Sequence, residues 1–204
     1  MGFNFFALIS RMKYIDRWAL MRNTRNESLC EHSYEVAVIA HALCIIGNRR
    51  YGKHLDANRA AVLGLYHDAS EIITGDMPTP VKYANHTLKA AYKSMEHMAE
   101  SKLLETLPND LKEDYNDVWD RSNDLDKSID ENEEYLLKLV KAADKLSALI
   151  KCVNEVNAGN HEFVTAKEST EKSVRKLYAE LPEVLDFVNE FMSSYGSTLD
   201  ELLG

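Results

Sequence analysis

The sequence predicts an all-α fold, a single-domain helical bundle. Three observations carry that expectation. Only 4 Pro and 8 Gly interrupt 204 residues, the segments between them place apolar residues at helical spacing, and none sustains the alternation of a half-buried strand. The length fits one domain or two small ones and suffices for a substantial core. No internal repeat or low-complexity linker divides it, so one domain over residues 1–204 is expected.

The elements follow from local signals. Phe3 to Met12 has the pattern of a first, amphipathic helix, and "DRWALMRNTRNESLC" reads as irregular. Ser28 with Glu31 three residues on is a capping-box pattern, and Val36, Ile39, Ala40 and Leu43 continue that helix to Gly47. Asp56 can cap a third helix running through "ANRAAVLGLYHDASEII" to Gly75. After the loop "GDMPTPVKY" a long helix spans about Tyr83 to Thr106 and stops before Pro108. A short helix around Trp119 and a solvated acidic loop come next. A strong helix runs from about Glu131 to Asn157 and closes at Ala158-Gly159-Asn160. Two more, about His161 to Glu180 and Pro182 to Ser194, precede a short tail.

Composition excludes several classes of function. With Lys+Arg 24 against Asp+Glu 33 the net charge is -9, which gives no electrostatic footprint for a nucleic-acid polymer or an anionic membrane. A small anionic ligand stays compatible if a local cation overrides the field. Cys30, Cys44 and Cys152 are too few and too scattered for a disulfide framework or a zinc knuckle, which favours a reducing, cytoplasmic setting. The N-terminal apolar patch is broken by Arg11 and Lys13 and is no signal peptide. Phe6 stands where a myristoylation signal needs Ser or Thr. No stretch reaches the roughly 18 apolar residues of a membrane span.

The polar residues on apolar faces are the informative ones, because an imidazole or a carboxylate is costly to bury without a partner. His67 and Asp68 are adjacent, and Glu71 falls one helical turn later. His32 lies near the start of an earlier helix, and Asp144 interrupts the apolar face of "KLVKAADKLSALI". Taken singly, His32 suits a helix cap and Asp144 a pair with Lys141 or Lys145. Taken together, two imidazoles and two carboxylates from three helices make a mixed N/O site for a divalent transition metal, with positions left for water. His41, His54, His86, His97 and His161 show no partner spacing and read as surface or packing residues. Phe163, Tyr178, Phe187, Phe191 and Tyr195 have the intervals of a packing face, in the core or at a subunit interface.

An early His (His32), the His67-Asp68 pair and a late Asp (Asp144) resemble the HD-domain metal-dependent phosphohydrolases. The segments "RWALMRNTRNESLCEHSYEVAVIAHAL", "LYHDASEIITGDMPTPVKY", "VKAADKLSALIKC" and "NAGNHEF" are similar to the bacterial 5'-deoxynucleotidase (YfbR-like) family. The resemblance spans nearly the whole chain and departs mainly near residues 120 to 133 and at the C-terminal tail. It implies an HD-domain bundle with a metal-binding core at about 28–157 and C-terminal helices at 161–195. It also implies a metal-dependent hydrolysis of deoxyribonucleoside 5'-monophosphates to deoxyribonucleoside and phosphate, with discrimination against ribonucleotides, in a homodimer.

Carried over by motif, His32, His67, Asp68 and Asp144 are the expected ligands of one divalent ion, with Co, Mn, Zn, Fe and Ni all chemically admissible. Arg17 is expected to hold the phosphate, Trp18 to pack on the nucleoside, and Asp76, Met77, Pro78 and Thr79 to wall the sugar. The resemblance also implies that His32, Asp68 and Asp144 face the substrate and that Glu71 is essential for catalysis. These roles suit a single in-line attack by metal-activated water, with Glu71 as base, acid or water-positioner. Other nucleotides as substrates of the same fold, a non-catalytic nucleotide-binding HD protein, and a purely structural helical protein are the competing readings.

Overall fold

The computed structural model describes residues 2–82, 84–119 and 130–204, without the side chains of Thr79 and Pro80. Helix α1 (Phe5–Ile9) leads into a 3-10 turn, Ser10–Tyr14. The expected first helix is thus shorter and tightens at its end. The irregular stretch after it contains the one sheet among the described residues. There β1 (Asp16–Arg17) pairs antiparallel with β2 (Glu27–Ser28), Asp16 facing Ser28 and Arg17 facing Glu27. Two residues per strand leave the fold class all-α.

Helix α2 (Leu29–Arg50) starts at the anticipated capping box: Ser28 accepts from the Glu31 backbone N–H while the Glu31 carboxylate accepts from the Ser28 backbone N–H. It continues three residues past Gly47. Helix α3 (Ala57–Tyr66) is capped by Asp56 as expected, but it does not run on to Gly75. It breaks at His67–Ser70 and resumes as α4 (Glu71–Thr74). Through the break the backbone tightens to three-residue bonds, Ala69 N–H to Tyr66, Glu71 to Asp68 and Ile72 to Ala69. The His67 ring meanwhile takes the Gly64 carbonyl at 2.8 Å. His67 and Asp68 therefore occupy a corner between helices rather than the last turns of one.

A short helix, α5 (Thr79–Lys82), sits within the expected "GDMPTPVKY" loop. Helix α6 (His86–Glu105) is capped by Asn85, and α7 (Lys112–Asn116) ends before Trp119, which is buried in a core instead of centring a helix. The expected acidic loop falls largely on residues 120–129, outside the described residues. Helix α8 (Glu131–Asn157) has the anticipated bounds, with Asp130 as its cap. Then come a 3-10 turn at His161–Phe163, α9 (Val164–Arg175) and α10 (Pro182–Phe191). The tail is not extended: Thr198 and Glu201 form a second capping box that starts α11 (Leu199–Leu203).

Two apolar clusters hold these helices. The larger joins α2, α3, α8 and α10 through residues such as Ile39, Leu43, Leu63, Leu139, Leu146 and Val184. The smaller gathers Phe5, Met12, Leu29, Ala69, Leu103, Leu107, Val118 and Trp119. Ala69, next to Asp68, is fully enclosed by this second cluster, so the corner is gripped from both sides. Phe163 and Phe187 are buried as expected, while Phe191 is 44% exposed. By length and composition α2 is apolar enough to cross a membrane, contrary to the sequence expectation, yet more than half of that apolar window is buried inside the protein.

Close approach of α2 and α3 depends on Gly64. A Cβ there would lie 2.7 Å from Ala37 Cα and 2.9 Å from Ala37 N, both backbone atoms that cannot swing aside. Gly64→Ala is expected to cost about 2–3 kcal/mol, lowering the Tm in a thermal melt by roughly 5–10 °C. Gly2→Ala, which meets open space, is expected to leave the Tm unchanged.

Candidate metal centre

Two helices and one corner deliver the polar residues. His32 lies one turn into α2 and is fully enclosed, and Asp144 lies mid-way along α8. His67 and Asp68 come from the α3–α4 corner. His32, His67 and Asp68 offer ligand atoms that all lie within 4.8 Å of one another. Asp68 Oδ2 is 2.9 Å from His67 Nε2 and 3.6 Å from His32 Nε2, and Asp144 Oδ1 is 3.2 Å from His32 Nε2. The two imidazole rings are tilted, with centroids 5.1 Å apart. Asp144, 43% exposed at its side chain, opens the cluster toward solvent while His32 closes it.

Two kinds of observation decide between an ordinary His–Asp ion pair and a metal centre. The first is the proton inventory. His67 Nδ1 meets the Gly64 carbonyl, an acceptor only, so it carries the proton there. His32 Nδ1 meets Ser147 Oγ at 2.9 Å, and Ser147 in turn donates to Glu35 Oε2 at 2.6 Å, which leaves the serine as acceptor toward the ring. In their neutral form both rings therefore present bare Nε2 atoms, and both Nε2 atoms are buried without a hydrogen-bond partner despite their nearness to carboxylates. Lone pairs facing lone pairs repel unless a proton or a metal cation lies between them. The second is spacing, since donors about 2.1 Å from one ion stand roughly 3.0–3.4 Å apart, and the separations of 2.9, 3.2 and 3.6 Å lie in or close to that range. The residues fit a divalent transition metal.

The electrostatics agree. Burial opposes charge on His67, but Asp68, Asp144 and the Gly64 carbonyl outweigh it and hold its pKa up to about 9. The same field favours any cation in the cluster. Burial and the nearby Arg17 cation push His32 down, against the pull of Asp144. Burial also opposes the charge on Asp68, yet His67, His32 and Arg17 hold it far below the usual carboxylate range. Asp144 is held low in the same way by His32 and His67. Glu71, at the start of α4, is buried with Oε2 unpartnered, and burial plus the Asp68 and Asp76 charges raise it well above its ordinary value.

The loop side of the site is built by Arg17 and Trp18. Arg17 Nη1 donates to Glu27 Oε2 at 2.7 Å across the two-strand pair. One arm of the guanidinium is thereby fixed, while its fork has further donors to present. Desolvation opposes its charge, but Glu27, Asp144, Asp68 and Asp76 sustain it. Trp18 is the one described non-glycine residue with positive φ, 57°, a conformation costing about 1–2 kcal/mol. Asn23 Nδ2 and Met21 N–H hold its carbonyl at 3.1 and 2.9 Å. Its own N–H meets Asp76, whose pKa burial raises and Arg17 and this bond oppose. Trp18 packs on Phe163 with centroids 5.5 Å apart, and its Nε1 is buried without a partner. Met77 and Pro78 are half-buried after Gly75, and the Thr79 side chain lies outside the described residues.

Sequence reasoning missed the hub that holds this loop. Glu155, nearly fully buried on α8, accepts from the Thr24 and Arg25 backbone N–H groups at 2.8 and 3.2 Å, from Asn160 Nδ2 at 2.7 Å and from Lys151 Nζ. Lys151 also donates to the Arg25 carbonyl at 2.6 Å, and Asn160 to Arg22 at 2.7 Å. A Lys–Glu pair four residues apart in the mostly apolar C-terminal part of α8 was the available signal. Glu27, Glu35 and Ser147 were missed too, and nothing local marks them. His97, read as unpartnered, lies 3.2 Å from Glu100.

The whole chain also matches known proteins. The family described as 5'-deoxynucleotidase YfbR-like matches residues 4–195. A 5'-deoxynucleotidase of Photorhabdus laumondii is 46% identical over 199 residues, covering 98% of this chain and 96% of that one. Another from Photobacterium profundum is 44% identical, covering 98% and 97%. Among solved structures, an HD-domain phosphohydrolase from Listeria innocua superposes with a TM-score of 0.78 at 24% identity, over 96% of this chain and 90% of that one. The cyanophage S-2L HD phosphohydrolase bound to dA and one catalytic Zn2+ ion has a TM-score of 0.63 at 17% identity, over 93% and 95%.

Glu155 supplies a pH test of the loop anchor. Burial opposes its charge, but Lys151, the Thr24 N–H, Asn160 and the Arg25 N–H hold its pKa at about 2, below the usual 4.5. A depressed acid stabilises the fold fully above its unfolded value and loses that contribution as pH falls through the folded value. Glu155→Gln is expected to cost about 3 kcal/mol in urea unfolding at pH 7, with the deficit shrinking between pH 4.5 and 2.

Proposed function

We propose, from the premise that this chain belongs to the YfbR-like 5'-deoxynucleotidase family, that its metal centre hydrolyses deoxyribonucleoside 5'-monophosphates to deoxyribonucleoside and phosphate. The enzyme is an HD-domain phosphohydrolase that acts on nucleotide 5'-monophosphates with a divalent metal ion. The observation that carries the reading on this chain's own residues is the pair of buried, bare Nε2 atoms of His32 and His67 directed at Asp68 and Asp144. These four residues would hold the ion. When bound, such an ion lowers the pKa of water and neutralises phosphoryl oxygens.

The remaining roles fall to protein groups. Arg17, fixed by Glu27 on one arm, presents its other donors to the phosphate. Trp18 and the loop from Asp76 to Thr79 flank the sugar and base, and the Trp18–Asp76 bond ties these two walls together. Stiff walls exclude a 2'-hydroxyl by crowding it or leaving it unpaired. Glu71, enclosed and holding a proton more tightly than an exposed carboxylate, handles proton traffic. Water oxygen bonds to phosphorus as the P–O5' bond breaks, and the leaving 5'-oxygen takes up a proton. No covalent phosphoenzyme forms.

Several finer assignments are part of the proposal. Co or Mn suits the mixed imidazole and carboxylate set as well as Zn does. The cytoplasm suits three free cysteines. A homodimer gives cover to apolar side chains exposed along α2, Tyr34, Val38 and Ile45.

Phosphate release should be followed from dAMP and AMP after chelation and separate re-addition of Co, Mn, Mg and Zn. Release is expected from dAMP, metal-dependent and much weaker from AMP. Glu71→Gln should lower kcat by 10²-fold or more while leaving bound metal unchanged. Solvent oxygen-18 should enter phosphate in a single turnover. Equal release from AMP, or activity independent of metal, would overturn the proposal.

A further inference from the structure

Both imidazoles present Nε2, but they are held by different means. His67 Nδ1–H ends on the Gly64 carbonyl. A backbone carbonyl cannot donate, so that ring has only one way to place its proton. His32 Nδ1 ends on the Ser147 hydroxyl, which both donates and accepts. If the serine donated to Nδ1, the ring proton would move to Nε2 and block the position that faces Asp144. Glu35 Oε2, 2.6 Å from Ser147 Oγ, takes the hydroxyl proton and removes that alternative.

We infer that Ser147 and Glu35 form a positioning relay that fixes the tautomer of His32 and so sets the affinity of the centre for its metal. The placement is systematic. Ser147 lies one turn beyond Asp144 on α8, and Glu35 one turn beyond His32 on α2, so each helix that supplies a ligand also supplies a member of the relay. His32 and Ser147 are both fully enclosed, so water does not stand in for either partner. Glu35 is only partly buried and lines a cleft of about 490 Å³ together with Glu31, Val38 and Lys151. The relay therefore starts at an accessible carboxylate and ends at an enclosed ligand.

This inference rests on His32 being a metal ligand, and the test separates the two. Titration calorimetry with Mn2+ and Co2+ on the full chain gives the affinity, and long-range 1H–15N NMR of the metal-free protein gives the His32 and His67 tautomers. Ser147→Ala is expected to weaken binding 10–100-fold, to mix the His32 tautomers and to leave His67 unchanged. Glu35→Ala is expected to move both readouts in the same direction, and Ser147→Thr, which keeps the hydroxyl, to restore them. At saturating metal, KM for dAMP should stay at the wild-type value. Wild-type affinity in Ser147→Ala, or an unmixed His32 tautomer in both Ala variants, overturns the relay alone. Failure of the wild-type protein to bind either ion overturns the relay and the metal centre together.

Discussion

Two bare imidazole nitrogens face two carboxylates inside an apolar helical bundle, and the rest of the structure depends on that confrontation. Buried lone pairs directed at negative charge are unstable alone. A cation resolves them, and with it the cluster becomes a device for gathering anions in a protein of net charge -9. The helices are arranged to enforce it. α2 and α8 run side by side and contribute His32 and Asp144, while the break after α3 turns His67 and Asp68 inward. Gly64 serves both needs: it lets α3 approach α2 at backbone distance, and its carbonyl holds the His67 ring.

A second layer positions the residues proposed to meet a substrate. Arg17 and Trp18 sit on a stretch with little regular structure, so their placement comes from side-chain anchors rather than from a helix. Glu27 fixes the guanidinium, Asp76 meets the left-handed Trp18 backbone, and Glu155 holds the backbone of Thr24 and Arg25. Local strain at Trp18 persists because these contacts over-determine it. The loop that carries Arg17 is thus tied to α8, the helix that also carries Asp144.

Much of this was legible in the residues. Ser28-x-x-Glu31 and Asp56 marked helix starts because capping is local chemistry, and α8 matched its expected bounds. The residues proposed as metal ligands stood out as polar groups on apolar faces. The break at His67–Ser70 was hidden, because apolar spacing continues through Ile72 and Ile73 and the bond from the His67 ring to Gly64 is invisible in a pattern of hydrophobicity. Trp119 misled in the other direction: its neighbours look helical, but burial beside Phe5 fixes it instead. Glu155, Ser147 and Glu35 act across 112 to 131 residues of chain, and spacing along a sequence carries no trace of such pairs.

The central claim is that His32, His67, Asp68 and Asp144 surround one ion. Crystals of the protein loaded with Co2+ or Mn2+, with data collected on both sides of the metal's absorption edge, test it most directly. A single anomalous peak bonded to both Nε2 atoms and to both carboxylates is the result the account predicts. A peak that lacks either imidazole, or no peak at the cluster in crystals shown to contain the metal, would contradict it.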